Sequence, residues 1–356
     1  MNRRSMTDPH RVVDATLLTK LLAIDRPGVE VRDVAVLDET DGSASRLRLA
    51  VEYSPGADAG LPTAMFLKRN LARFSFPAEM YSTEVRIYRD VLPRLAITKP
   101  DVYAVDTADD DKTFTILMED LSTRPGARLG IVTAPTTPDE VDGVLATLAT
   151  MHAQWWGGAR LDAEAPWLTR ASSNRPMTFW SEIGPLLSRR HRTKGHRATV
   201  VDSQRWPEDR IWSAFAALVA ALDTGPPTLL HGDVHAGNVF YVDRNRGGLL
   251  DWQLSLRGNW SLDVGYLLAT ALTPAQRATH ERDLLRGYLG RLSALGVPDP
   301  PTFDDAWLRY RQSVLYGIAM WLITPGGVHS DEVQAENLRR CLIAGKELET
   351  LAALGL

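Results

Sequence analysis

The chain has a single cysteine, Cys341, among 356 residues. No disulfide can form within it, and a reducing compartment suits it. It has no excess of positive charge either: 40 Lys and Arg against 44 Asp and Glu leave a formal charge of −4. The basic footprint that nucleic acid requires is therefore missing. No run approaches the ~20 apolar residues of a membrane span. Residues 1–8 are basic, but no apolar stretch follows, so they do not read as a secretion signal. A cytoplasmic location is expected. Internal repeats and low-complexity tracts are lacking too. What remains is an ordinary globular composition, 44% hydrophobic and 24% charged, in a length that supports two cored domains.

Residues 231–238 read His-Gly-Asp-Val-His-Ala-Gly-Asn, and Asp251 lies thirteen residues beyond that Asn. These supply three groups that phosphoryl transfer asks of a protein. The Asp233 carboxylate can take a hydroxyl proton. The Asn238 amide and the Asp251 carboxylate can hold the metal that bridges nucleotide phosphates. The chain between them fits a hairpin: residues 239–242 are an apolar strand, 243–248 carry turn chemistry, and Leu249-Leu250 returns. Such a hairpin brings Asp251 beside Asn238. A metal hydrolase built on His231 and His235 is the competing reading, because two His one helical turn apart can share a metal. Gly232 and Gly237 disfavour that helix, and Asn238 and Asp251 would have no role in it. His231 and His235 read instead as supporting residues that hydrogen-bond the backbone of the turn.

The segment from Leu229 to Leu272 carries this loop, then Asp251-Trp-Gln253, then Leu262-Asp263-Val264. It resembles the aminoglycoside phosphotransferase-like superfamily of small-molecule kinases, and Gln253 brings it nearest to the ecdysteroid-kinase-like branch. The resemblance implies an α+β, bilobal protein-kinase-like fold with a small antiparallel-sheet N-lobe and a large, mostly helical C-lobe. It also implies ATP, Mg²⁺ and a small-molecule hydroxyl as acceptor. Under it Asp233 is the catalytic base, Asn238 and Asp251 are metal ligands, and Asp263 braces the catalytic loop. Gln253 stands near where some relatives have a carboxylate, so one or two Mg²⁺ remain open. Protein kinases have Arg where this chain has Gly232, and Asp-Phe-Gly in place of Asp251-Trp-Gln. Those departures argue against a protein substrate.

The lobe boundary is expected near residue 120, giving a nucleotide-binding lobe over 1–120 and a catalytic and substrate-binding lobe over 121–356. A helical stripe of Val13, Leu17, Leu21 and Ile24 opens the first, followed by strands over 29–37, 46–53 and 64–68. Residues 38–45 lie between the first two strands. There Gly42, Ser43 and Ser45 suit a loop over nucleotide phosphates, although read alone the segment is also a plain β-turn. Lys68 ends an apolar strand and needs an anion. Phosphate would serve, as would Glu84 in a helix expected over 76–92. Glu79 is the alternative, on another helix face, and a lysine snorkelling to water is the bland reading. The resemblance pairs Lys68 with Glu84. It also makes the strand over 114–121 lead to a hinge, where main-chain groups of Glu119 and Leu121 meet adenine. Residues 122–138 read as a connection.

Helices are expected over 138–156, 176–191, 204–222, 260–272, 274–295, 303–323 and 331–354. All ten tryptophans fall after residue 150. Most are expected in the core, because large aromatics dominate helical packing; if a few line the acceptor pocket, they favour a largely apolar or ring-shaped alcohol. A polycationic aminoglycoside would want carboxylates there, yet Asp304, Asp305, Glu332 and Glu336 are interspersed with Arg309, Arg311, Arg339 and Arg340. An aminoglycoside or macrolide phosphotransferase is the second expectation. A catalytically inactive, nucleotide-binding protein is the third. Oligomeric state has no signature in the sequence.

Overall fold

The computed structural model describes residues 13–41, 44–70, 76–107, 113–134, 136–192, 196–204, 206–243 and 246–356. The chain groups into two compact units. Met1–Arg89 and Pro100–Pro125 make the first; Asp90–Lys99 and Gly126–Leu356 make the second. The division thus falls a few residues after the expected boundary, and ten residues before it join the second unit.

In the first unit, strands β1 (Val31–Asp41), β2 (Ser45–Tyr53), β3 (Ala64–Arg69), β4 (Val102–Thr107) and β5 (Phe114–Glu119) form an antiparallel sheet in the order β1-β2-β3-β5-β4. Leu47, Leu49 and Val51 alternate inward along β2, the period of two that a half-buried strand requires. Helix α1 (Ala15–Ala23) is capped by Asp14, whose carboxylate accepts the Leu17 N–H at 2.8 Å. It buries Leu18, Leu21 and Leu22 in the same core as Leu47, Leu49, Met65 and Leu67. Of the expected stripe, Leu21 is in this core and Val13 and Leu17 pack against it, but Ile24 is 63% exposed. The spacing i, i+3, i+4 from Leu18 gives the wider apolar face, and the sheet takes that one.

Helix α2 (Ala78–Arg86) is shorter than expected and passes into a π turn, Ile87–Val91, and a 3₁₀ turn, Leu92–Arg94. Pro93 has no N–H to donate one turn back, so the α ladder cannot run to residue 92.

The second unit contains β6 (Ala127–Leu129), α3 (Pro138–Gln154), α4 (Ala159–Glu164), α5 (Arg175–Arg192), α6 (His196–Gln204), α7 (Glu208–Leu222), β7 (Thr228–Leu230), β8 (Val239–Val242), β9 (Gly247–Leu249) and β10 (Leu256–Gly258). Then come α8 (Ser261–Ala271), α9 (Pro274–Ala294), α10 (Phe303–Ile323), α11 (Asp331–Glu347) and the short α12 (Thr350–Ala353). Thr137 and Glu140 form a capping box ahead of α3. The stretch expected as a connection contributes β6, which pairs with β8. The helix expected over 204–222 begins only at Glu208, with α6 as a separate helix before it. The helix expected over 331–354 breaks at Glu349, whose φ of 49° lies outside the helical range.

All of α8 is buried, and α10 packs tightly against it. A Cβ on Gly265 would lie 2.8 Å from that of Ser313, and the Ser313 hydroxyl donates to Ser261 Oγ at 2.8 Å. Within the same helical unit Arg277, 1% exposed, pairs with Glu281 and Glu347, and the Tyr310 hydroxyl donates to Glu281 at 2.7 Å. Removing one partner of a buried pair leaves the other uncompensated. Arg277→Met is therefore expected to cost about 3–5 kcal/mol in urea denaturation, and a loss near zero would show that Glu281 needs no counter-charge. Among the described residues no helix is long and apolar enough to cross a membrane.

Candidate active site

The loop between β7 and β8 is organised around Leu250, which precedes Asp251. Its N–H donates to the Asn238 carbonyl at 2.8 Å. Its carbonyl accepts from His231 Nε2 at 2.9 Å. The two ends of the loop thus hold one residue of the returning strand, and Asp251 is registered against both. Asp251 has φ 65°, a left-handed conformation that Asp tolerates better than most side chains. Asn238 Nδ2 donates to the Asp233 carbonyl at 3.0 Å and to Asp233 Oδ2 at 2.8 Å. With its nitrogen so engaged, Asn238 Oδ1 is the face left for a cation. An amide oxygen and a carboxylate are the hard donors that Mg²⁺ takes when phosphates complete its shell. Gln253, 9% exposed, follows two residues after Asp251.

Both histidines are committed to the backbone. His231 Nδ1 accepts the Asp233 N–H at 3.2 Å while Nε2 donates to Leu250, and its ring packs on Trp252 with centroids 4.5 Å apart. His235 Nδ1 accepts the Gly237 N–H at 3.0 Å and caps the 3₁₀ turn Ala236–Asn238. Its ring is bordered edge-on by Tyr266, Trp321 and His329. With both His231 nitrogens engaged, the hydrolase reading loses one of its two ligands.

Asp263, wholly buried in the first turn of α8, accepts the His231 N–H and the Gly232 N–H, each at 2.8 Å. Two residues that sequence reasoning missed complete its surroundings. His152 on α3 places Nε2 3.2 Å from Asp263 Oδ2, and the Tyr288 hydroxyl lies 2.7 Å from His152 Nδ1. Burial, with the Asp263 charge added, holds the Tyr288 phenol well above its ordinary value, so it stays a donor. A histidine inside the apolar stripe of α3 was the available signal, and nothing local named its partner. Tyr316 on α10, also missed, donates to the Gly232 carbonyl at 2.9 Å.

The first unit holds the other expected residues. Lys68 Nζ meets Glu84 Oε1 at 2.5 Å, with the two side chains 4% and 1% exposed. Glu79, the alternative partner, is exposed. Ser45 is not a turn residue: it is the first residue of β2, buried, and paired across the sheet with Asp41 and Arg69. Gly42 and Ser43 lie outside the described residues. Glu119 ends β5 with its N–H donated to the Asp101 carbonyl and its carboxylate on Arg124. The Leu121 carbonyl accepts the Arg124 N–H. Those two main-chain groups are thus already in use. Glu84→Leu is expected to destabilise the protein by about 3–5 kcal/mol, because it leaves the Lys68 ammonium buried without its partner. Lys68→Met combined with Glu84→Leu should recover much of that loss; a double variant as unstable as the sum of the singles would contradict it. Denaturant titration reads both.

Four of the six tryptophans nearest the motif or the start of the helical half (Trp155, Trp180, Trp252 and Trp260) are at most 8% exposed and belong to the core. That is where most of the tryptophans are expected.

The sequence matches the Phosphotransferase enzyme family over residues 41–306. No curated protein matches it. Among solved structures, it is similar to a protein of Ralstonia eutropha assigned to the aminoglycoside phosphotransferases. That pair is 15% identical, covers 94% of this chain and 98% of the other, and has a TM-score of 0.57. A spectinomycin phosphotransferase solved with ADP and spectinomycin is 12% identical over 96% of this chain and 99% of its own, at TM-score 0.54. A choline/ethanolamine kinase family protein from Mesorhizobium loti is 15% identical over 90% and 91%, at 0.50. At such identities the likeness is one of fold: an antiparallel-sheet unit and a mostly helical one, as in protein-kinase-like enzymes. Since the family match spans well over half of its length, the chain belongs to the phosphotransferase enzyme family.

Proposed function

We propose that the protein transfers the γ-phosphoryl group of ATP to a hydroxyl of a small molecule. The observation that carries this reading is the register of Asp251 against Asn238 and His231 through Leu250. Beside it, Asn238 Nδ2 donates to Asp233 Oδ2 at 2.8 Å. Asp233 accepts a hydrogen bond from the acceptor hydroxyl, aligns it, and takes its proton late in the transfer. Asn238 and Asp251 would hold Mg²⁺, which would supply positive charge to offset that on the phosphate oxygens. Lys68, fixed by Glu84, contacts the α- and β-phosphates. Glu119 and Leu121 would flank the adenine, and Ser45, at the start of β2, would lie on the phosphate side. His231, His235 and Asp263 hold the loop. The ADP bound to the spectinomycin phosphotransferase supports a nucleotide as donor.

The acceptor is a neutral, largely apolar or ring-shaped alcohol. Gln253 keeps the resemblance to the ecdysteroid-kinase-like branch, and that resemblance supports this acceptor class. The second acceptor class is a cationic one, as in an aminoglycoside phosphotransferase.

The test is ADP formation with Mg²⁺-ATP across sterol-like alcohols, macrolides, aminoglycosides, choline and simple sugars. Stimulation by the neutral ring compounds supports the first acceptor class, and stimulation by the amines alone supports the second. Nucleotide binding without turnover on any acceptor would leave the catalytically inactive binding protein.

A further inference from the structure

The Gly232 peptide is gripped from two helices. Its N–H is held by Asp263 of α8 at 2.8 Å, and its carbonyl by the Tyr316 hydroxyl of α10 at 2.9 Å. That carbonyl belongs to the peptide plane that leads into Asp233. The other polar group of the plane, the Asp233 N–H, donates to the His231 ring at 3.2 Å. Turning of the plane about its long axis, by compensating changes in ψ of Gly232 and φ of Asp233, would break the bond to Tyr316. Gly232 adds freedom, since at φ 81° it has no side chain to limit the motion.

We infer that Tyr316 is a positioning residue, whose hydroxyl pins the peptide plane before Asp233 and so sets the direction of the Asp233 carboxylate.

Three further observations support this. The Tyr316 ring stands at 90° to that of Tyr266 on α8, with centroids 5.2 Å apart, so its own rotation is blocked. The two helices are held close by the absence of a side chain at two points. A Cβ on Gly265 would lie 2.8 Å from that of Ser313, and one on Gly317 would lie 2.6 Å from Cys341 Sγ and 3.0 Å from the Tyr266 ring. The donor also stays a donor. Burial first, then the nearby Asp233 and Asp263 charges, hold the Tyr316 phenol well above its ordinary value. Two rigidly packed helices thus fix the loop by both faces of one residue, the support from behind that a catalytic group needs.

The inference rests on Asp233 being the base, so the experiment carries a readout that does not. Tyr316→Phe keeps the ring and removes the donor; Tyr316→Met fills similar space without a ring. With the best acceptor, both are expected to lower kcat roughly ten- to hundredfold, with KM for ATP and acceptor within about twofold, as a small misplacement of a reacting group does. The pH profile should keep its shape. Amide hydrogen exchange, followed by mass spectrometry, should speed up in the peptide covering 229–236 while α8 and α10 keep their protection. Unchanged kcat with unchanged loop exchange overturns the inference. So does faster exchange throughout α8 and α10, which would make Tyr316 a packing residue. If Asp233→Asn in parallel retains turnover, the proposed function fails, while the exchange data still decide whether Tyr316 holds the loop.

Discussion

Asp233→Asn is expected to lower acceptor-dependent ADP formation by about a thousandfold, near the middle of what a positioned general base contributes, or about 4 kcal/mol of transition-state stabilisation. The substitution is close to isosteric. An amide oxygen at the same place can still accept from Asn238 Nδ2, which now meets Asp233 Oδ2 at 2.8 Å. The loop should stay as it is, held by Asp263 on the N–H groups of His231 and Gly232 and by Tyr316 on the Gly232 carbonyl. Only the proton acceptor is lost. Nucleotide affinity and melting temperature should therefore change little while kcat collapses. Steady-state ADP release and calorimetric nucleotide binding, measured on the same preparation, check this. A variant with half the wild-type turnover would remove Asp233 from the chemistry.

Gly232→Ala is expected to do its damage to the fold. A Cβ at Gly232 would run into the Leu254 carbonyl oxygen and lie 3.1 Å from Leu256 Cδ2, and the residue sits at φ 81°, where any side chain is strained. Backbone cannot step aside as a flexible side chain can. The loss should exceed about 4 kcal/mol, the range reserved for severe steric and backbone violations. A low yield of folded protein or a collapsed melting transition would show it. Gly290→Ala is the internal control. Gly290 lies inside α9, and a Cβ there meets nothing within 4 Å. That substitution should stabilise by about 0.5–1 kcal/mol, because alanine loses less backbone freedom in a helix. Equal effects at the two glycines would mean that the close approach to Leu254 is not rigid. The clash also bears on the departure from protein kinases at this position, since arginine there has no room beside Leu254.

The motif from His231 to Asp251 was readable because its members share one short stretch of chain. Turn residues and an apolar strand carry enough local chemistry to bring Asp251 back to Asn238. A lysine at the end of an apolar strand demands an anion, which made Lys68 readable; the resemblance then named Glu84 as its partner. The sequence by itself therefore determined the phosphotransferase family, with the antiparallel sheet that the resemblance implies, and the approximate helices around the loop.

Only the tertiary structure decided what stands behind the loop. His152, Tyr288 and Tyr316 come from α3, α9 and α10, and each reads in isolation as a polar residue on an apolar helical face. Their partners are chosen by how the helices pack, down to the missing side chains of Gly265 and Gly317. Packing also chose the buried face of α1, moved Ser45 from a turn into β2, and put Trp155, Trp180, Trp252 and Trp260 into the core. Periodicity names a face and local chemistry names a turn. Which buried polar group meets which is a contact between distant segments, and only the folded chain brings them within hydrogen-bonding reach.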